Sequence, residues 1–413
     1  MLKICIITEF FPPDYAATGQ LIEELSLYLQ QYPEIQKVEV FTGQPSYAYS
    51  IESAPTKENR GNLRIQRSRV SQLWSNRIRG KTLKGLIFTI RAFLHILRNS
   101  FRHHVFLLTT APPFLQVAVY LVNRICFGKI SYVCLIYDLY PDIAINLGVI
   151  SRHHWLSKFW LWMNHQMWKE SRQIIVLSDS MKARIAEQYP LVTNKISVIH
   201  SWCDPYLIKP MIKSDNWFAQ KYGLVDKFTV LYSGNMGRCH DMLTIIDSIE
   251  QLQNEPIQFV FIGDGDKLAY LQQQVNQLQL NNCIFLPYQE KQDLTFSLTA
   301  CDLSLVSVAE GFETLVAPSK LYSALAVGKP VAVISPPTSY LRQLITQDKW
   351  GKGFDNGDSK GLANFIRELS QNSDLAEKMG KNARKTLETN YTPQIIAEEY
   401  LRVLINASPK KIQ

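Results

Sequence analysis

Residues 310–335 read EGFETLVAPSKLYSALAVGKPVAVIS, placing Glu310 and Glu313, a Pro-Ser-Lys turn and a Gly-Lys-Pro turn ahead of an apolar run. A helix opening at such a turn presents free N–H groups and the positive end of its dipole, which suits phosphate. A carboxylate beside it suits sugar hydroxyls. Together these residue types point to a ligand with both a phosphate and a polyol.

Other loops carry related chemistry. YSGNMGRCHDM (232–242) sets Gly234 and Gly237 around Asn235, with Arg238 and His240 following and a helix expected near Asp241. Glycines, a cation and a helix start make a diphosphate cradle; a surface turn with a solvated arginine has the same composition. IGDGDKLA (262–269) offers Gly263 and two capping candidates, Asp264 and Asp266. LPYQEKQDL (286–294) offers Tyr288, either lining a base pocket or packing at a strand end. FFPPDYAATGQLIEEL (10–25) brings Gly19 to the start of a helix, where a backbone can approach a ligand closely, or where Thr18 simply caps a turn. It lacks the G-x-G-x-x-G spacing of a dinucleotide site. YDLYPD (137–142) ends a strand with Asp138 and Asp142, as reactive carboxylates or as caps for the next helix.

Short apolar strands alternating with helical patterns must position these loops. Candidates in the first half are 3–9, 37–43, 62–68, 104–110, 131–138, 173–179 and 196–202; in the second, 229–235, 257–264, 283–288, 303–308 and 330–335. Strands of this kind, separated by helices, imply parallel sheets covered on both faces, with ligands outside the carboxyl ends of the strands. A chain of 413 residues suits two such domains, and 46% hydrophobic against 19% charged residues excludes a disordered chain. The expected division is 1–203, 204–390 and a C-terminal helix within 391–413, with Pro393 near its start. Seven scattered cysteines form no C-x-x-C pair, so neither a zinc site nor a disulfide framework is suggested. The uncharged run 105–123 is broken by Thr109-Thr110 and Pro112-Pro113, and reads as strand, turn and short helix rather than a membrane span.

Charge is uneven. Residues 1–200 hold 23 Lys+Arg against 13 Asp+Glu, and no acidic residue falls between Asn59 and Tyr137. Segment 63–104 mixes Arg and Lys with Leu, Ile, Phe and Trp74, and 155–168 adds four tryptophans. A basic, amphipathic helix from Leu83 to Leu97 suits an anionic lipid surface. Core packing with a solvated charged face is the plainer account, and no nucleic-acid-binding motif is present.

The order and spacing of FFPPDYAATGQLIEELSLYL, VFTGQPSY, DLYPDIAINLGV, VLYSGNMGRCHDML, FVFIGDG, IFLPYQEKQDL and VAPSKLYSALAVGKPV resemble the retaining glycosyltransferases of family 4, in their exopolysaccharide, colanic-acid-type branch, across essentially the whole chain. The resemblance implies a GT-B fold: α/β, with two doubly wound Rossmann-like domains facing a cleft and the C-terminal helix returning to the first. It implies transfer from a nucleotide-sugar donor to a polysaccharide precursor or polyprenyl-linked acceptor, without metal or cofactor, in the cytoplasm at the inner face of the plasma membrane. Carried over by position, Glu313 lies near the donor sugar, with Glu310 as fallback. Ser319, Lys320 and Leu321 open the diphosphate helix, and Asp138 lies near the reacting sugar. The remaining donor contacts fall to Gly19, Gly234, Asn235, His240, Gly263 and Tyr288. The chain departs from the pattern twice. Ser323 stands where a second glutamate usually holds the ribose. Asn235 and His240 stand where arginine and lysine are usual, leaving Arg238 to carry that charge. A non-catalytic GT-B-like membrane partner and a nucleotide-sugar epimerase are the alternatives.

Overall fold

The computed structural model describes residues 1–14, 16–45, 54–68 and 78–409, with backbone alone for 78–82. Tyr15, the end of VFTGQPSY, Trp74 and Arg77 lie outside the described residues. The chain divides into two compact units, residues 1–200 with 393–413, and residues 201–392.

In the first unit the elements run β1 (Leu2–Ile7), α1 (Ala17–Leu29), β2 (Ile35–Thr42), β3 (Lys57–Arg60), β4 (Leu63–Arg67), α2 (Ile78–Asn99), β5 (Val105–Leu108), α3 (Gln116–Ile125), β6 (Tyr132–Ile136), α4 (Asp142–Asn146), α5 (Trp155–Glu170), β7 (Gln173–Val176), α6 (Asp179–Gln188) and β8 (Ile196–Val198). The sheet order is β3-β4-β2-β1-β5-β6-β7-β8, parallel except for β3 against β4. β5 and β6 are buried along their whole length, as a sheet covered on both faces requires. Right-handed crossovers running leftward through α1 and rightward through α3 and α5 put these helices on opposite faces. Accordingly α2 packs on α3 and α3 on α5, while the C-terminal helix (Pro393–Ala407) packs on α1.

The rotation of α2 is fixed by its inner side. His95 stacks on Phe41 of β2 with ring centroids 4.3 Å apart, and Phe41 stacks on Phe88 at 5.7 Å. His95 Nε2 also lies 3.4 Å from Glu39 Oε1. Burial works against the Glu39 charge, but hydrogen bonds from His103, His95 and Lys37 outweigh it and hold this carboxyl well below the usual range.

The second unit continues with α7 (Trp217–Lys221), β9 (Phe228–Ser233), α8 (Leu243–Gln251), β10 (Ile257–Ile262), α9 (Leu268–Gln277), β11 (Cys283–Leu286), α10 (Leu294–Thr299), β12 (Leu303–Ser307), α11 (Lys320–Val327), β13 (Val331–Ile334), α12 (Tyr340–Asp348), β14 (Gly351–Phe354), α13 (Ser359–Gln371) and α14 (Ser373–Asn390). Its sheet is parallel throughout, in the order β11-β10-β9-β12-β13-β14.

Several local expectations are corrected. Thr18 does not cap α1, whose N-cap is Ala16 with no side-chain bond. Neither Asp264 nor Asp266 caps α9, which begins after Lys267; Asp264 Oδ1 instead accepts from the Gly265 N–H at 2.7 Å. The helix expected near Asp241 is present and opens at Leu243, with Asp241 Oδ1 accepting from the Thr244 N–H. β3 and β14 were not among the expected strands. Among the described residues no helix is long and apolar enough to cross a membrane.

Candidate functional site

In the second unit β9 and β12 are neighbours, pairing Val230 with Leu303, although the chain places two strands between them. The helices that follow them leave toward opposite sides of the sheet order, which opens a crevice above their carboxyl ends. Lys320, the first residue of α11, reaches across it. Its ammonium donates to the Tyr232 hydroxyl and, at 3.1 Å, to the Asn235 carbonyl. The Tyr232 hydroxyl donates to the same carbonyl at 3.3 Å. Lys320 Nζ also sits 3.9 Å from the Tyr232 ring centroid. Lys320 is half-buried, and this burial pushes its pKa well below the ordinary lysine value. An ammonium has three donors, so one remains for a ligand.

Gly234 and Gly263 shape the floor. Gly263 has φ +135, and a Cβ there would lie 2.2 Å from the Gly234 carbonyl oxygen, so only glycine lets these two strand ends abut. Gly234 N–H donates to Ile262 O at 2.8 Å, and Gly263 N–H to Leu286 O at 2.9 Å.

His240 faces β12, with Nδ1 2.7 Å from the Ser307 carbonyl. A carbonyl only accepts, so Nδ1 carries the proton and Nε2 is left with a lone pair. Burial, helped by the Lys320 charge, pushes His240 down to about 3. It is therefore neutral at physiological pH and does not supply the charge usual at that position. Arg238 stands on the exposed side of the loop, close enough to Lys267 to help burial push that lysine's pKa down. Lys267 Nζ donates to His240 O at 2.5 Å.

Glu313 is partly buried, and its Oε1 accepts from Thr338 Oγ1 at 3.4 Å, whereas Glu310 is exposed. Ser319 stands at the open end of α11. Leu321 is a correction: its side chain is fully buried in the core and its N–H goes to Pro318 O at 3.3 Å. Ser323 Oγ donates to the Lys320 carbonyl at 3.0 Å, so its hydroxyl is engaged with its own helix. Tyr288 follows β11 and is partly buried. Among the described residues no group of three His, Cys, Asp or Glu could hold a metal.

The first unit has its own crevice, where β1 lies between β2 and β5. The loops after these strands are tied together: Glu9 N–H donates to Ala111 O, and Gly43 N–H to Glu9 O, each at 3.0 Å. The Tyr137 and Asp138 N–H groups donate to Thr110 Oγ1 at 3.1 and 3.3 Å. Burial raises Asp138 to about 6. Burial, with Asp14 adding and Lys84 opposing, raises Glu9 to about 7. Asp142 pairs with Arg184 at 3.0 Å, and neither aspartate supplies a side-chain cap for α4. What Gly19 admits is protein: a Cβ there would lie 3.0 Å from the backbone of Phe10 and Phe11. Glu9, Tyr232 and Lys267 were not singled out from sequence; each lies at or just beyond a strand's carboxyl end or at a helix start, which is the one signal that could have found them.

Residues 214–386 match the family described as Glycosyl transferases group 1. The chain is 24% identical over 322 residues to "Probable glycosyltransferase WbjE" of Pseudomonas aeruginosa, covering 77% of this chain and 79% of that protein. The chain is a glycosyltransferase. It is also 34% identical over 119 residues, 29% of each chain, to "Putative colanic acid biosynthesis glycosyl transferase WcaI" of Escherichia coli strain K12. The structure of Anabaena Alr3699/HepE in complex with UDP and glucose matches 98% of the glycosyltransferase and 100% of its own chain, with a TM-score of 0.73 at 14% identity. The fold is GT-B, α/β with two parallel-sheet Rossmann-like domains.

Proposed function

We propose that this glycosyltransferase acts with retention at the anomeric carbon, and passes a sugar from a nucleoside diphosphate sugar to a polysaccharide precursor or polyprenyl-linked acceptor at the cytoplasmic face of the plasma membrane. The observation that carries the donor assignment is the Lys320 ammonium held over the crevice by Tyr232 and Asn235, at the open end of α11. Charge that develops on a departing diphosphate would meet that ammonium and the helix end, which stabilise it more as the bond breaks than before. Glu313 takes hydroxyls of the transferred sugar, and Asp138 acts on the reacting sugar. The similarity to WbjE and WcaI, two proteins named as glycosyltransferases, the second of colanic acid biosynthesis, supports a polysaccharide setting. It gives no support to the epimerase or the non-catalytic reading.

The test is turnover. The protein is incubated with a panel of sugar nucleotides and polyprenyl diphosphate-linked sugar acceptors, and nucleoside diphosphate release and product configuration are followed by NMR. The expected result is acceptor-dependent release with the donor's anomeric configuration kept. An inverted product would refute retention, and release without sugar transfer to any acceptor would refute the acceptor class.

A further inference from the structure

Helices α2, α3 and α5 are apolar on the side that packs against the sheet and apolar again on the side that does not. On α2 the inner side is Phe88, Ala92, His95 and Ile96, while Leu86, Ile90, Leu94 and Leu97 stand exposed on the outer side, at spacings of four, four and three. A surface helix ordinarily turns charged and polar residues outward. On α3 the outer side holds Leu121 and Ile125, and on α5 Trp155, Phe159 and Trp162, which are 70%, 49% and 51% exposed. The ends of α2 and α3 meet, with Cys126 Sγ 3.8 Å from Ser100 Oγ. Each of these residues is followed by an exposed phenylalanine, Phe101 and Phe127, the latter 90% exposed. More than half of the large apolar side chains exposed among the described residues lie on these three helices and their ends. An exposed apolar area of this extent marks a docking surface.

Charge chooses the occupant. The sequence holds no carboxylate between Asn59 and Tyr137, and none between Ile143 and Lys169. Exposed cations border the apolar residues: Arg98 and Arg102 beside α2, Arg124 and Lys129 beside α3, Arg152 and Lys158 beside α5. Glu170, at the end of α5, pairs with Arg124 at 3.1 Å. Apolar side chains bordered by a surplus of cations complement an anionic lipid surface, with phenylalanine and tryptophan at the depth of the headgroups and arginine and lysine at the phosphates.

We infer that the outer face of α2, α3 and α5, with Phe101 and Phe127 at its end, is the surface by which this protein docks on an anionic bilayer. The face lies wholly within the first unit and none of its residues belongs to the donor crevice, so its test is independent of the donor reading. No helix needs to cross the bilayer; the face lies on it. The surface has two separable components, apolar insertion and phosphate attraction, and only the second is screened by salt.

The experiment is co-sedimentation with vesicles of phosphatidylcholine alone and of phosphatidylcholine mixed with phosphatidylglycerol, at low and high salt. Alongside it runs a fluorescence titration in which brominated lipid quenches tryptophan. The wild type should pellet with the mixed vesicles, lose part of that binding in high salt, and be quenched. A variant combining Phe101→Ser, Phe127→Ser, Phe159→Ser and Trp162→Ser should bind about ten-fold more weakly and lose the quenching. A variant combining Arg98→Ser, Arg102→Ser, Lys129→Ser and Lys158→Ser should lose the preference for phosphatidylglycerol. Both should keep the wild-type circular dichroism and melting temperature, since all eight side chains are exposed. Absence of wild-type binding, equal binding to both vesicle types, or binding unchanged in the apolar variant would overturn the inference. So would a wild-type dimer that the apolar variant converts to monomer while neither protein binds vesicles.

Discussion

Lys320 is a cation that the free protein holds half-buried, at a cost to its charge. A diphosphate placed against it would reverse that cost, raising its pKa in the complex. Donor binding should therefore take up a proton where the free lysine is partly neutral, and should weaken as the pH rises through the bound-state value. Calorimetry in alkaline buffers of different ionisation enthalpy measures this directly; a heat independent of buffer would contradict it. Glu9 works in the opposite sense, because its burial favours the neutral acid. Its folded value lies above the ordinary one, so its contribution to stability is full below the ordinary carboxylate pKa and is lost as the pH rises through about 7. Relative to Glu9→Gln, the wild type should lose up to about 3 kcal/mol across that window, read from urea denaturation at a series of pH values. Ser323 offers a third residue-level prediction. Its hydroxyl already serves its own helix, so Ser323→Glu removes little and adds a bidentate acceptor for ribose hydroxyls. Nucleotide affinity should hold or rise, and a severe loss would mean that the ribose pocket here has a different shape.

Gly263 and Gly234 decide at the scale of elements whether the floor of the crevice exists. Gly263→Ala forces either the φ or the approach to the Gly234 carbonyl to change, which should destabilise the second unit by about 1–3 kcal/mol and weaken nucleotide binding with it. Denaturation and titration on the same preparation would check both, and an unchanged protein would mean the strand ends separate freely. The elements themselves were largely legible from sequence. Strands buried on both faces write themselves as apolar runs: β5, β6, β10 and β13 fell within the expected segments, and β1 began one residue before its own. β3 and β14 were missed for physical reasons. Lys57–Arg60 is a polar edge strand with no apolar alternation, and Gly351–Phe354 contains two glycines in four residues. The aromatics and leucines of α2 and α5 were visible as composition. Which of them turn outward was not, because that depends on partners such as Phe41 and Glu39 in a different part of the chain.

Across the whole molecule, two sheets of the same design each bring their chemistry to the loop ends where strand order departs from chain order. That rule made the loops legible, and within them Lys320, Gly234, Asn235 and His240 come together around one crevice. Side-chain partnerships were not legible. Tyr232 and Lys320 are 88 residues apart in sequence, and nothing local to either predicts their contact. The neutral state of His240 and the core position of Leu321 likewise follow from packing alone. A donor diphosphate seated at Lys320 would make that side chain the main determinant of nucleotide affinity. The most direct measurement is calorimetric titration of a panel of nucleoside diphosphates and their sugars into the wild type, Lys320→Ala, and the exposed-loop control Arg238→Ala. At least one tight ligand is expected, with a loss of about 1.5–3 kcal/mol in Lys320→Ala, roughly ten- to hundred-fold in Kd, and a smaller loss in Arg238→Ala. Unchanged affinity in Lys320→Ala would contradict it.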